Sequence, residues 1–244
     1  MTLLLTGGSG RLGSELRALV PSVVAPPSAE LDLTNASSVL HALRLYEPDV
    51  VIHAAAYTDV KGAETNRAAC WQVNVEGTRN LVRALGDVDA TLVHISTDYV
   101  FYGDTGNYHE DDPVGPVRNY YALSKLVAEE VARLAERHLI IRTSFRPREF
   151  PYPVAFADVF TSQDYVDIIA PEIALVAQHV NRIPFNTLHI ATERKSVYDL
   201  AKHRNQEVEP GSKADAGVSL PNDISLNVER WRTLKNSLKE KSTS

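Results

Sequence analysis

Two textures of hydrophobic residue alternate along the first half of this chain. The segments TLLLT (2–6), SVVAP (22–26), DVVIHAAA (49–56), ATLVHIST (90–97) and HLIIRTS (138–144) are short, nearly unbroken apolar runs. Such runs suit strands covered on both faces. Between them, apolar residues recur every three or four positions. Leu12, Leu16, Leu19 and Val20 do so in 11–20, NASSVLHALRLY (35–46) reads as a helix capped by Thr34 or Asn35, and Glu64 to about Leu85 reads as another. Repeated strand–helix alternation predicts an α/β fold, a doubly wound parallel sheet with helices on both faces.

The helix predicted over 119–136 poses a question. Leu123, Val127, Val131 and Leu134 are spaced as one stripe and are expected to be its buried face. Tyr121 and Lys125 are four residues apart and, at ~100° per residue, fall roughly opposite that stripe. Either they face solvent or they face a cleft.

After Ser144 the texture changes. REFPYPVAFADVF (148–160) is rich in Pro and aromatics and has no clean period. A helix is expected from Asp167 to 179, a strand over 186–192, and a helix from Ser196, where Ser196 and Asp199 form a capping-box pattern. A last amphipathic helix is expected around Leu226–Leu238. This divides the chain into a dinucleotide-fold domain, 1–144, and a small, shortened lobe, 145–244, interleaved with the end of the sheet.

Composition narrows the function. The formal net charge is −6 over 244 residues, which speaks against a nucleic-acid partner. A lone cysteine, Cys70, rules out an internal disulfide and fits a reducing compartment. No apolar run reaches the ~18–20 residues that span a bilayer. Met1 leads directly into a strand-like run without a basic n-region. The expectation is a cytoplasmic protein with no membrane association. The eight histidines are scattered without ligand spacing, so no structural zinc is expected.

The chemistry begins at TGGSGRLG (6–13), where Gly7, Gly10 and Gly13 link the first strand to the first helix. Glycines here permit a tight turn, backbone approach to a pyrophosphate, and close helix–strand packing. Phosphates would sit at the helix N-terminus. Many dinucleotide folds place a carboxylate at the end of the second strand for a ribose 2′-hydroxyl. This chain has Pro26–Pro27–Ser28–Ala29 there, with Glu30 and Asp32 only later. That leans towards NADP(H) over NAD(H), with Arg11 a candidate for a 2′-phosphate. Ala54, Ala55 and Ala56 end the third run with side chains small enough for something flat to approach. Ser96, Thr97, Asp98 and Tyr99 cluster at the next strand end.

Together, TGGSGRLG, HAAAYTDV, VNVEGT (73–78), STDYVF (96–101) and the Tyr-x-x-x-Lys of YALSK resemble the extended short-chain dehydrogenase/reductase family. Within it, AAAYTDV, ISTDYVFYG, LDLTN and the Lys–Leu–x–x–Glu after the tyrosine motif are most similar to the RmlD-like, dTDP-4-dehydrorhamnose reductase branch. The motifs cover about residues 2–144. The resemblance implies a Rossmann sheet and a catalytic set of Thr97, Tyr121 and Lys125. It implies a cofactor site of Gly7, Ser9, Gly10, Arg11, Leu12, Asp32, Leu33, Ala54, Ala55, Ala56 and Tyr57, with Tyr121 and Lys125. Asn74 matches a structural asparagine. Asp98, Tyr99, Phe145 and Arg146 are candidates for substrate, and Arg148, Arg194 and Lys195 join Arg146 as candidates for a substrate diphosphate. In this reading Tyr121 donates a proton, and the cation at Lys125 lowers the phenol's pKa from its ordinary ~10.

The resemblance implies an NAD(P)H-dependent reductase of a nucleotide-activated 4-keto-6-deoxy sugar. Two alternatives stay open: a cofactor-binding regulatory subunit without turnover, and an epimerase or dehydratase of the same fold. The single acid after Thr97 argues against dehydration. The sugar, the nucleotide and the choice between monomer and homodimer are left open.

Overall fold

Leu3–Thr6 (β1) and Val50–His53 (β2) run parallel, with Leu3 opposite Val50 and Thr6 opposite His53. Thr91–Thr97 (β3) and His138–Thr143 (β4) continue the sheet. Its fifth strand, Thr187–Ile190 (β9), lies beyond β4 and comes from the C-terminal part of the chain. All four pairings are parallel, in the order β1-β2-β3-β4-β9. This computed structural model describes residues 1–216 and 220–240.

Alternate strand residues feed two cores. Leu3, Leu5, Val50, Ile52, Val93 and Ile95 face one side, where helices α1 (Arg11–Leu19), α7 (Val166–Gln178) and α9 (Glu229–Glu240) pack. Leu4, Val51 and Leu92 face the other, towards α2 (Ala36–Tyr46) and α5 (Gly77–Leu85). Asn35 caps α2, accepting from the backbone N–H groups of Ser37 and Ser38. A sheet covered on both faces explains why its strands read as apolar runs rather than alternations.

Three expectations need correction. The strand expected over 22–26 reduces to a single parallel bridge, Leu4 with Val24, held by Leu5 N–H to Val24 O (2.8 Å) and Val24 N–H to Leu3 O (2.9 Å). Pro26 and Pro27 follow at once and cannot donate to a ladder. The span expected as a helix from Glu64 to Leu85 is helical but not one regular helix: Asn66 separates α3 (Gly62–Thr65) from α4 (Arg67–Trp71), which runs through a π turn over Gln72–Glu76 directly into α5. The π turn carries the buried Asn74, which backbone and side-chain partners hold.

The third correction concerns α6 (Tyr120–Ala132). Leu123 is 38% exposed and Leu134 76%, so of the expected stripe Val131 is buried but its two leucines are not. Ala122, Ser124, Lys125, Ala128, Glu129 and Ala132 are buried instead. Small residues let the helix approach the sheet, and the two buried charges find partners there. The side that carries Lys125 turns inward, so the periodicity had the orientation reversed.

Apart from α7, β9 and α9, which belong to the main sheet and its core, the rest of the chain after β4 is built around short strand pairs. Short strands β5 (Phe145–Arg146) and β8 (Asp164–Tyr165) pair, as do β6 (Val154–Phe156) with β11 (Glu209–Gly211), and β7 (Phe160–Thr161) with β10 (Lys195–Ser196). Helix α8 (Val197–Lys202) begins with the expected capping box between Ser196 and Asp199. Phe150, Tyr165, Val197 and Leu200 give this part its own small core.

Candidate active site

The chain leaves β1 through a turn that only glycine can make. Gly7 has φ +74°, and a Cβ there would lie 2.7 Å from the Cα of Ala55. A Cβ at Gly13 would collide with the Gly7 carbonyl. Gly10 donates to Gly7 O (2.9 Å) and starts α1 without a side-chain cap, so the first N–H groups of the helix remain open to an anion. The turn therefore holds a space beside backbone donors that a side chain would fill.

Ala54–Ala56 form the adjoining floor, beyond the end of β2. A directed chain of hydrogen bonds fixes it from beneath. Ala55 N–H donates to Thr6 Oγ1 (3.2 Å), and Thr6 Oγ1 lies 2.8 Å from His53 Nδ1. His53 Nε2 lies 3.0 Å from Thr78 Oγ1, which donates to Asn74 O (2.6 Å). Thr78 spends its proton on Asn74, so His53 must donate through Nε2 and accept at Nδ1. Burial lowers the His53 pKa to about 3 and keeps the ring neutral. Asn74 then clamps the next residue, accepting from Tyr57 N–H (2.7 Å) and donating to Tyr57 O (3.2 Å) and to Ser124 on α6 (2.9 Å).

Helix α6 brings in the third wall. Asn119 caps it, accepting from Ala122 N–H (2.8 Å). Lys125, 4% exposed, donates to Ile95 O of β3 (2.7 Å). Burial lowers its pKa to about 8, with the Glu129 carboxylate one turn on pulling the other way. Glu129 accepts from Ser96 (2.6 Å) and from Arg142 of β4 through both oxygens. Thr97, at the end of β3, hydrogen-bonds Asp98 (3.1 Å) and accepts from Tyr99 N–H (3.2 Å). The Tyr99 and Tyr121 rings meet edge to face at 6.3 Å.

The acid–base character follows from burial. Asp98, 2% exposed, has its pKa raised to about 7 by burial, against hydrogen bonds from Thr97 and Ser144. Tyr99 is pushed up to about 12 by burial. Tyr121 is also pushed up, by burial and then by the Asp98 and Tyr99 charges, while a hydrogen bond with Thr97 opposes. The lowered Tyr121 pKa expected from Lys125 does not show here: burial, Asp98 and Tyr99 push it up.

These walls enclose a cleft of ≈ 560 Å³. Gly7, Ser9, Gly10, Arg11 and Leu12 line one end, Ala54, Ala55 and Ala56 the floor, and Thr97, Asp98, Tyr99, Tyr121, Lys125 and Phe145 the other end. A second recess of ≈ 460 Å³ shares Gly7, Ser9, Ala55 and Val73 with it and contains Asp32 and Leu33. Both volumes suit bound small molecules. Five anticipated residues, Tyr57, Arg146, Arg148, Arg194 and Lys195, line neither space. The Tyr57 hydroxyl lies near Gly62, and Arg146 sits over the Phe150 ring with a buried Nε that lacks a hydrogen-bond partner. Of the other diphosphate candidates, Arg148 is paired with Glu15 (two bonds of 2.7 Å), Arg194 with Asp223 (2.5 Å), and Lys195 with Thr192 and the Asp164 carboxylate. Thr143 and Ser144, outside the motifs, also line the cleft, as do Thr58, Val60, Val73 and Ile95, which lie within the motifs but were not named as site residues. Apolar and small hydroxyl side chains carry no signal of their own in a sequence.

A family model for the RmlD substrate binding domain matches residues 1–146. The chain belongs to the RmlD family. It is 39% identical over 153 residues to a dTDP-4-dehydrorhamnose reductase of Mycobacterium tuberculosis, a match covering 59% of this chain and 49% of that protein. The chain thus spans about half the length of the curated relatives it matches. Among solved RmlD structures, a hypothetical dTDP-4-dehydrorhamnose reductase of Sulfolobus tokodaii superposes with a TM-score of 0.82 at 35% identity, covering 96% of this chain and 94% of that one. A dTDP-4-dehydrorhamnose reductase of Bacillus anthracis, solved in complex with NADP, gives 0.82 at 28% identity and covers 96% and 93%. The fold is the Rossmann fold of RmlD-type extended short-chain dehydrogenase/reductases. Among the described residues, no helix is long and apolar enough to cross a membrane.

Proposed function

We propose that this protein is an NADP(H)-dependent reductase of a nucleotide-activated 4-keto-6-deoxy sugar. One observation carries the reading: the glycine turn, the alanine floor and the Thr97–Tyr121–Lys125 set converge on one cleft. The RmlD relatives and the NADP complex of the Bacillus anthracis protein support it.

The residues present fit a dinucleotide. The turn at Gly7–Gly13 leaves room for a pyrophosphate beside free N–H groups at the start of α1. Ala54–Ala56 offer a flat floor, and Asp32 and Leu33 line the recess suited to adenosine. When bound, a reduced nicotinamide supplies hydride to a ketone carbon. The chain's own groups do the rest. Thr97 Oγ1 is placed to hydrogen-bond the carbonyl oxygen and orient it. Tyr121 holds a proton at its hydroxyl and delivers it to that oxygen as negative charge develops. Lys125 is fixed by Ile95 O and supplies a cation one helical turn from the tyrosine in the same cleft. The same ammonium can hold a ribose hydroxyl. Phe145, where the C-terminal part of the chain begins, lines the end of the cleft at which a sugar would sit.

The reading is tested by following NADPH oxidation by purified protein against a panel of nucleotide-linked 4-keto-6-deoxy sugars. Turnover with one of them should fall by ~10²–10⁴ in Tyr121→Phe, the usual range for losing a general acid. NADPH binding should stay within a few-fold of wild type. Cofactor binding without turnover on any sugar would contradict the reductase reading.

A further inference from the structure

The recess beside the glycine turn contains a cation that the activity proposed above does not use. Arg17, on α1, lines this space together with Pro26, Ser28, Asp32 and Leu33. Its stem lies against the turn, since a Cβ built on Gly8 would be 3.4 Å from Arg17 Cδ and 2.8 Å from Ala25 Cβ. The side chain is exposed. Among the described residues it has no ion pair and no hydrogen bond. Among the described residues Arg11 is likewise exposed and unpaired, so the two differ in place and not in freedom. Arg148 is tied to Glu15, and Arg11 lines the larger cleft, ~9 Å back along the helix by the rise of six residues.

The surroundings select for an anion. A reader of a ribose 2′-hydroxyl needs a carboxylate where the second strand ends. Here that place is Ala25–Pro26–Pro27–Ser28, directly after the Val24 bridge. Asp32 is the only carboxylate lining the recess among the described residues. Its Oδ1 is occupied by Thr34, accepting from the backbone N–H (2.9 Å) and the hydroxyl (2.7 Å). A free guanidinium beside a hydroxyl, with no acid at the strand end, matches the planar, multidentate demand of a phosphate.

We infer that Arg17, and not Arg11, reads the 2′-phosphate of an adenosine bound in this recess, and so sets the preference for the phosphorylated cofactor. The inference rests on the dinucleotide reading of the cleft. Arg17 is a specificity residue for binding and takes no part in the reaction.

The test is calorimetric binding of 2′,5′-ADP and 5′-AMP, which differ only by the 2′-phosphate. The wild-type protein should bind 2′,5′-ADP about ten- to a hundredfold more tightly, the range for charged hydrogen bonds to one phosphate. In Arg17→Ala the ratio should fall to near one, with 5′-AMP affinity and the melting temperature unchanged. Arg11→Ala should keep the wild-type ratio. An unchanged ratio in Arg17→Ala, a collapse in Arg11→Ala, or equal wild-type affinities would each overturn the assignment and leave dinucleotide binding standing. Failure of the wild-type protein to bind either nucleotide would overturn the dinucleotide reading itself, and the Arg17 assignment with it.

Discussion

Arg142 and Glu129 form an ion pair that water does not reach. Arg142 Nη2 lies 3.0 Å from Glu129 Oε2, with side-chain exposures of 2% and 0%. The pair joins β4 to α6 beneath the cleft, and Glu129 also accepts from Ser96 while Arg142 donates to Glu110 O (3.2 Å). It turns the Lys125 side of α6 towards the sheet. Removing one partner strands a buried charge, which typically costs about 3–5 kcal/mol. Glu129→Ala should lower the unfolding free energy by that order in a denaturant titration. The double change Glu129→Leu with Arg142→Met should recover a large part of it, because two apolar groups need no pairing. A double variant less stable than the single one would refute this account of the helix.

The His53 chain makes a sharper claim, about a proton. The ring should be the Nε2–H tautomer, accepting from Thr6 at Nδ1 and donating to Thr78. Nitrogen-15 shifts of the imidazole at neutral pH read this directly. They should show a protonated Nε2 and no titration until the pH falls far below 6.5, towards the folded pKa of about 3. A ring that titrates near its ordinary value would mean that the floor is wetter than described.

Asp98 should make the stability of the protein depend on pH. Its folded pKa is raised to about 7 by burial, while the unfolded carboxyl titrates near ~3.9. The folded state therefore binds the extra proton between those values, and stability falls as pH rises through the window. Every tenfold difference in proton affinity between the two states is worth about 1.4 kcal/mol, so the loss is of the order of a few kcal/mol. Asp98→Asn should flatten the slope between pH 4 and 7 and be the more stable form, relative to wild type, at pH 8. An identical slope in the variant would place the titration elsewhere.

How much of this is legible in the sequence depends on the kind of residue. The glycine turn can be read because Gly7 and Gly13 are there for steric reasons that no other residue meets. The parallel strands can be read because they are covered on both faces. The orientation of α6 cannot. Its leucines outscore its alanines in any hydrophobic pattern, yet the helix packs through small residues and a buried charge pair whose partner, Arg142, is in another element. Arg17 escapes the motifs for a related reason. It sits more than a turn of helix beyond the last glycine, and only the fold of Ala25–Ser28 against it makes a recess. The resemblance to a family supplied the roles of Thr97, Tyr121 and Lys125, and the structure supplied their meeting place. It also ran against one electrostatic expectation, since burial and the neighbouring Asp98 and Tyr99 push the Tyr121 pKa up.

Thr97 is placed to do two things, which substitution can separate. Its hydroxyl accepts from Tyr99 N–H and faces the cleft beside Tyr121. Thr97→Ser keeps the hydroxyl and should retain turnover within a few-fold. Thr97→Val removes it and should lower kcat by ~10²–10³, as for loss of one oxyanion donor, with NADPH affinity preserved. Equal activity in the two variants would remove Thr97 from the reaction.

The central claim is that hydride passes from a nicotinamide to a sugar ketone in the cleft between the glycine turn and Tyr121. Label transfer tests it most directly. NADPH carrying deuterium on the transferred position of the nicotinamide is mixed with a nucleotide-linked 4-keto-6-deoxy sugar and the protein, and the sugar is weighed by mass spectrometry. The account predicts a reduced sugar carrying one deuterium at C4, and none with Tyr121→Phe on the same timescale. Sugar recovered unreduced beside bound cofactor, or reduced without label, would contradict it.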